Sequence, residues 1–282
     1  MSLIHDYNQS CSFYDDQRTA VGSDIIAAMI QLNTGKQLKD LHVLDAGCGT
    51  GSYAKALFDI GVGYLTLLDA SNGMLERARE KLSNYLAQGR VQDMVECRLP
   101  PIPVQDDRFD AVLFNSVLHH LDRTNSDFPN VIETLQESRR ILRPKGVIVI
   151  TTILPETFAD ALWFMQIDRK VAQRFIENNA PSLNQLYKIF EAAGICCSQK
   201  MTVLGSDLLK HYYNVEDPLE ESLRRNLNEF WSFATEGEVG ELVQRVKDLK
   251  DSEELEAWIK SHDRTSTMGI LTIMICKPLY YQ

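Results

Sequence analysis

The residues best placed to do chemistry are Asp45-Ala46-Gly47-Cys48-Gly49-Thr50-Gly51, which follow the apolar run 41–44 and precede a helix-favouring stretch. Strand, glycine loop and helix make the first half of a βαβ unit. Glycines in such a loop permit a tight turn and let the backbone approach a ligand lying across the carboxyl edge of a sheet. Asp69 closes the next apolar run, 64–68. A carboxylate there offers two oxygens to the vicinal hydroxyls of a ribose. The two features indicate a cofactor containing adenosine, without saying which. A dinucleotide loop wants G-x-G-x-x-G; here Ser52 holds the third position of that spacing and Gly51 comes one residue early, so nicotinamide fits poorly.

The run Val43 to Gly51 resembles motif I of the class I S-adenosylmethionine-dependent methyltransferases, and further landmarks follow in order. Asp69 matches their ribose-binding acid, Phe109-Asp110-Ala111-Val112 their fourth-strand entry, Asn115 to Leu121 their LHHL segment, and Leu142-Arg143-Pro144-Lys145-Gly146 their LRPGG turn. The nearest subgroup is the small-molecule type related to ubiquinone and menaquinone methyltransferases. This resemblance implies an α/β fold: a doubly wound, seven-stranded, mostly parallel Rossmann-like sheet with the last strand antiparallel, plus a helical cap insertion. It also implies S-adenosylmethionine as cofactor, S-adenosylhomocysteine as product and a small-molecule acceptor.

Residue by residue, the resemblance has Asp45 order the loop around the methionine moiety. Gly47, Cys48, Gly49 and Gly51 would line the cofactor, Asp69 would hold the ribose, and Ala70, Met74, Asn115 and Ser116 would complete its surroundings. Cys97, Arg98 and Leu99 fall where many members carry an acid beside the adenine amino group, so adenine is expected to be read by backbone. The segment Tyr14-Asp15-Asp16-Gln17-Arg18 matches an upstream Y-D-x-x-R pattern of the subgroup. Within it Tyr14 and Arg18 are cofactor candidates, because a guanidinium makes a bidentate contact with a carboxylate. A solvated charge on the first helix is the alternative for Arg18, and helix capping the alternative for Asp69.

Methyl transfer is an in-line displacement, so the protein supplies proximity first. An acceptor that loses a proton also needs a base. His119 and His120, after the fourth strand, are the nearest candidates. Adjacent positions diverge on a strand or helix, so one of the two at most should face the pocket; packing or shaping the cofactor site is the alternative. His211, with Tyr212 beside it, is a second candidate, against a surface helix position. Trp163 and Phe164 either line the acceptor pocket or pack a helix core. Cys97, Cys196 and Cys197 invite comparison with arsenite methyltransferases, which hold As(III) between separated thiolates. Cys48 in the loop and Cys196-Cys197 in a strand read instead as buried, inert thiols, and no metal site is expected.

Strands are expected at 41–45, 64–68, 94–97, 110–115, 147–151, 195–204 and 268–276, and helices at 21–32, 52–60, 73–86, 129–142, 158–178 and 181–193, with 143–146 a turn. Such alternation implies a parallel sheet with helices on both faces. The polar stretch 207–264 is too long for a structureless loop, so it should be helical. One methyltransferase domain over 1–282 is expected, with cap helices in 1–36 and insertions at 156–180 and 207–264 forming a substrate lid.

The chain carries 29 Lys+Arg against 39 Asp+Glu, a formal charge of −10. Most of the excess lies in 207–264, which has 15 acidic and 8 basic residues. An acidic balance works against a polyanion, so neither nucleic acid nor a membrane is an expected partner. The first residues read as neither signal nor transit peptide and no apolar run approaches the roughly 20 residues of a membrane span, so a cytoplasmic location is expected. The alternative to an enzyme is a non-catalytic methyltransferase-like module that binds S-adenosylmethionine or regulates.

Overall fold

A computed structural model describes residues 20–124, 126–204, 217–221, 224 and 229–279. In chain order the elements are α1 (Ser23–Thr34), β1 (His42–Ala46), α2 (Ser52–Ile60), β2 (Tyr64–Asp69), α3 (Asn72–Lys81), α4 (Ser83–Ala87), β3 (Val91–Glu96), β4 (Phe109–Asn115), α5 (Pro129–Ile141) and β5 (Leu142–Ile153). There follow α6 (Pro155–Ala161), α7 (Arg169–Asn178), α8 (Leu183–Ala192), β6 (Ile195–Val203), α9 (Glu236–Asp251), α10 (Leu255–His262), α11 (Thr265–Met268) and β7 (Leu271–Pro278). The chain divides into two compact units, one of residues 1–152, 184–201 and 272–282, the other of 153–183 and 202–271.

The first unit holds a seven-stranded sheet in the order β3-β2-β1-β4-β5-β7-β6. Strands β1 to β5 are parallel, and the last strand runs antiparallel. β1 and β4 read as near-continuous apolar runs because both their faces are covered; Val43, Leu44, Ala111, Val112, Leu113 and Phe114 are fully buried. Chain order reverses between β1 and β4, and the crevice at the carboxyl ends of strands at such a switch point is where ligands bind in open α/β sheets. Asp45 sits there, in register with Leu67 of β2 on one side and Leu113 of β4 on the other.

Asp110 anchors the opposite end of these strands. Its buried carboxylate accepts from Lys36 Nζ (2.6 Å), the His42 backbone N–H (2.9 Å) and Arg143 (3.0 Å). One side chain thereby ties the segment after α1, the start of β1 and the start of β5 to β4.

Several boundaries differ from expectation. The 143–146 turn lies inside β5 as an irregularity: Leu142 pairs with Phe109 and Val147 with Ala111, so the extra residues bulge from the ladder. β3 begins at Val91, ahead of the expected 94. The expected helix 73–86 breaks at the buried Leu82, which leaves helical geometry at ψ 13° and splits it into α3 and α4. The expected helix 158–178 starts earlier, with Pro155 in its first turn, and breaks at Leu162, whose ψ of 127° is extended. Asp168 then caps a new helix by accepting from the N–H groups of Lys170 and Val171. The last strand starts at Leu271, after the short α11, where 268 was expected.

The second unit is helical and has its own core. Phe158, Trp163, Phe164, Phe175, Phe230 and Trp231 form an aromatic cluster with edge-to-face and stacked pairs. α9 opens with a capping box between Thr235 and Glu238, and Arg174 of α7 reaches the same Glu238 carboxylate at 2.6 Å. Among the described residues no helix is long and apolar enough to cross a membrane.

Candidate functional site

Where β1 runs out, the chain makes its glycine turn against the neighbouring strand. Gly47 and Cys48 both donate to the Leu68 carbonyl, at 2.7 and 3.0 Å. Gly47 has φ 81°, and a Cβ there would lie 2.4 Å from Val117 Cγ2. Glycine is therefore required twice over at this position, by handedness and by the side chain packed against it.

Asp69 closes β2 and pins the loop from across the strand gap. One carboxylate oxygen accepts the Gly49 N–H at 2.8 Å and the other the Ser71 N–H at 2.9 Å. The capping question raised by the sequence is answered one residue pair along. Ser71 caps α3, its hydroxyl accepting from Met74 N–H at 3.2 Å, which leaves Asp69 to organise the loop. Burial pushes the Asp69 carboxyl above its ordinary range, opposed by the N–H groups of Ser71, Gly49 and Ala70.

Asp45 is 1% exposed, and among the described residues neither carboxylate oxygen has a hydrogen-bond partner. Burial, and then the charge of Asp69, raise its pKa to about 7. Burial and the same two carboxylates push the buried Cys48 thiol well up, so it stays protonated and unreactive. A buried carboxylate left without donors is uncommon in a folded chain and marks a place where a ligand can be accommodated.

The ends of β3 and β4 complete the edge. Thr151 donates to the Asn115 side chain, and the Ser116 N–H to the Thr151 carbonyl at 2.9 Å. Ser116 takes a positive φ of 54° as the chain leaves β4. A single 3-10 turn, Leu118–His120, carries the two histidines, both half-buried. Their rings lie 3.9 Å apart, centroid to centroid, at 50°. Although adjacent positions diverge along a backbone, the two imidazole rings are in contact here.

At the end of β3, Glu96 pairs in register with Asp69, and the Cys97 N–H donates to the Asp69 carbonyl at 2.9 Å. Glu96 is exposed at the carboxyl edge beside Asp69 and is not among the residues singled out by the sequence. The sequence signal for Glu96 is an acid closing β3 as Asp69 closes β2. Arg98 is exposed and Leu99 half-buried, followed by cis Leu99–Pro100 and Pro100–Pro101 bonds.

Of the other candidates, Ala70 is exposed beside Asp69 and Met74 is buried in α3. Trp163 and Phe164 belong to the second unit's aromatic core, 1% and 3% exposed. Tyr14, Arg18, His211 and Tyr212 lie outside the described residues. The reading of Cys196 and Cys197 as buried thiols is corrected: β6 is an edge strand, so Cys196 is exposed and Cys197 half-buried. Among the described residues no group of three or more His, Cys, Asp or Glu is arranged to hold a metal ion.

Residues 44–150 match the family model described as a methyltransferase domain. Over 110 residues the chain is 32% identical to the uncharacterized methyltransferase YodH of Bacillus subtilis, covering 39% of this chain and 42% of that one. It is 30% identical over 141 residues to the malonyl-[acyl-carrier protein] O-methyltransferase of Enterobacter lignolyticus, covering 49% and 50% respectively. The chain thus spans about half the length of the curated relatives it matches. Among solved structures, a putative methyltransferase from an antibiotic biosynthesis pathway of Anabaena variabilis shares the fold at a TM-score of 0.61 and 17% identity, covering 89% of this chain and 96% of that one.

Proposed function

We propose that this chain, which carries a class I S-adenosylmethionine-dependent methyltransferase domain at residues 44–150, transfers a methyl group to a small-molecule acceptor by in-line displacement. The observation that carries the reading is the pairing of two acids at the switch point. The two Asp69 oxygens accept from the N–H groups of Gly49, Ser71 and Ala70, and a carboxylate's roughly four lone-pair sites leave room for a ribose hydroxyl. Asp45, on the neighbouring strand, has two buried oxygens with no donor among the described residues.

Those residues fit an adenosine-containing sulfonium. Asp69 would hold the ribose, Glu96 beside it would face the adenine end, and the backbone of Gly47 to Gly51 would lie along the methionine portion. Asp69, through the Gly49 N–H, holds that loop, and the Asp45 carboxylate would favour an ammonium group nearby. S-adenosylmethionine, when bound, supplies an electrophilic methyl on a positively charged sulfur. The chain's part is to orient the acceptor and keep water out. His119 and His120 follow β4 at the same edge and are the candidate bases. We assign the choice of acceptor to the stretches 156–180 and 207–264, which the sequence reads as a lid. The formal charge of −10 favours a small molecule over a polyanion.

Calorimetric titration with S-adenosylhomocysteine tests the cofactor site. Binding is expected, weakened more than about tenfold in Asp69→Ala through loss of charge-assisted hydrogen bonds; equal affinity in the two proteins would overturn the ribose assignment. Tritium transfer from methyl-labelled S-adenosylmethionine to a metabolite extract tests turnover. Tight binding with no transfer to any fraction would favour the non-catalytic module instead.

A further inference from the structure

The last two strands bring two cysteines together. The Leu279 N–H donates to the Gly194 carbonyl at 2.9 Å, which sets the register of an antiparallel pair. The Ser198 hydroxyl, four residues on, reaches the Ile275 carbonyl at 3.0 Å, four residues back along the partner, so the register holds. Counting from the first bond, Cys197 of β6 stands directly opposite Cys276 of β7. It falls at a non-hydrogen-bonded position, as does Pro278, which has no N–H to give. Facing residues at such positions have Cα atoms about 4.5 Å apart, within the span a disulfide bridges.

The two thiols are in contact. Cys276, fully buried, donates to the Cys197 sulfur, which lowers the Cys197 pKa to about 7 and drives that of Cys276 well up. Lys200, further along β6, favours the Cys197 thiolate, while Tyr187 of α8 and Cys196 are the other titratable groups near the pair. Cys197 is half-buried and so reachable by a small oxidant, with a proton donor already on its sulfur.

We propose that Cys197 and Cys276 form a hydroperoxide-reactive dithiol that closes to a disulfide across the last two strands. The Cys197 thiolate attacks one peroxide oxygen; the S–O bond forms, the O–O bond breaks, and hydroxide leaves and takes up a proton as water. Cys276 sulfur then attacks the Cys197 sulfenic acid. The S–S bond forms, the S–O bond breaks, and the sulfenic oxygen leaves as a second water with the Cys276 proton. Two thiols are oxidised by two electrons and one peroxide is reduced to two waters. The bridge spans the insertion 202–271, so it covalently fastens the two points between which that part of the second unit enters and leaves.

The test uses the unmodified chain. Folded protein is exposed to hydrogen peroxide, quenched with iodoacetamide, digested and mapped by mass spectrometry. A peptide linked through Cys197 and Cys276, lighter by two hydrogens and reversed by dithiothreitol, is expected to form at least about tenfold faster than Cys196 is oxidised, although Cys196 is the more exposed. In Cys276→Ser the sulfenic acid at Cys197 should persist and be trapped by dimedone, and Cys197→Ser should leave Cys276 unmodified. Oxidation of Cys196 first, or recovery of Cys197 and Cys276 both alkylated after peroxide exposure, would overturn the proposal. The unsubstituted protein decides it even where a variant fails to fold.

Discussion

Asp69 and Gly49, 20 residues apart in sequence, are joined by a 2.8 Å hydrogen bond from the Gly49 N–H to a carboxylate oxygen. The residue proposed to meet a ribose is therefore also the one that shapes the loop beside it. Binding and loop order share one side chain, and substitutions there act on both.

Replacing Asp69 with Asn separates them in part. An amide can offer its oxygen to Gly49 or to Ser71 but turns an NH2 toward the other donor. We expect a loss of about 1–3 kcal/mol of stability, the cost of a buried donor left unsatisfied. Urea unfolding with the m-value unchanged checks it, and a variant as stable as the parent would show the two bonds to be dispensable.

Asp45 predicts a pH dependence. Its folded pKa, about 7, lies above the ordinary 3.8, so the folded state holds this proton more tightly than the unfolded chain does. Its contribution is fully present below pH 4 and is lost as pH rises to about 7. Asp45→Asn removes the charge penalty, so the ligand-free variant should gain up to about 4 kcal/mol over the parent at pH 8 and little at pH 4. Melting curves across that range test this, and a difference independent of pH would refute the assignment.

Gly47→Ala places a methyl against Val117 in a left-handed conformation. A cost of about 2–4 kcal/mol is expected, combining strain and overpacking. Adding Val117→Ala should return only the steric part. A double-mutant cycle measures the coupling, and purely additive effects would mean that the two residues do not meet.

Asp110→Ala should destabilise by about 2–4 kcal/mol, since it strands the His42 N–H and unpairs Lys36 and Arg143 around a buried site. Asp110→Asn should cost less. Equal losses in the two variants, measured by urea unfolding, would show that charge contributes nothing there.

The sheet core was legible in the sequence because pattern and chemistry agreed locally. The expected helix 52–60 coincides with α2, bracketed by Gly51 and Gly61, and the run 110–115 differs from β4 by one residue. Asp69 was legible too, as an acid closing an apolar run. Breaks at Leu82 and Leu162 were not, because both residues are apolar and keep the helical period; burial, not propensity, turns the chain there. Glu96 was hidden by a proline-rich turn whose register only strand pairing reveals. The edge position of β6, which exposes Cys196, depends on β7 arriving from far along the chain.

That arrival orders events during synthesis. β7 lies between β5 and β6, yet it is translated after both and after the whole 202–271 insertion. As the ribosome releases the chain, β1 to β5 can pair from contacts already made, while β6 emerges next to a slot with nothing in it. The sheet edge at β5 stands open until the final strand has been made and can pair with both of its neighbours. Such late, long-range closure slows folding and leaves two bare strand edges for nascent chains on the same messenger to find.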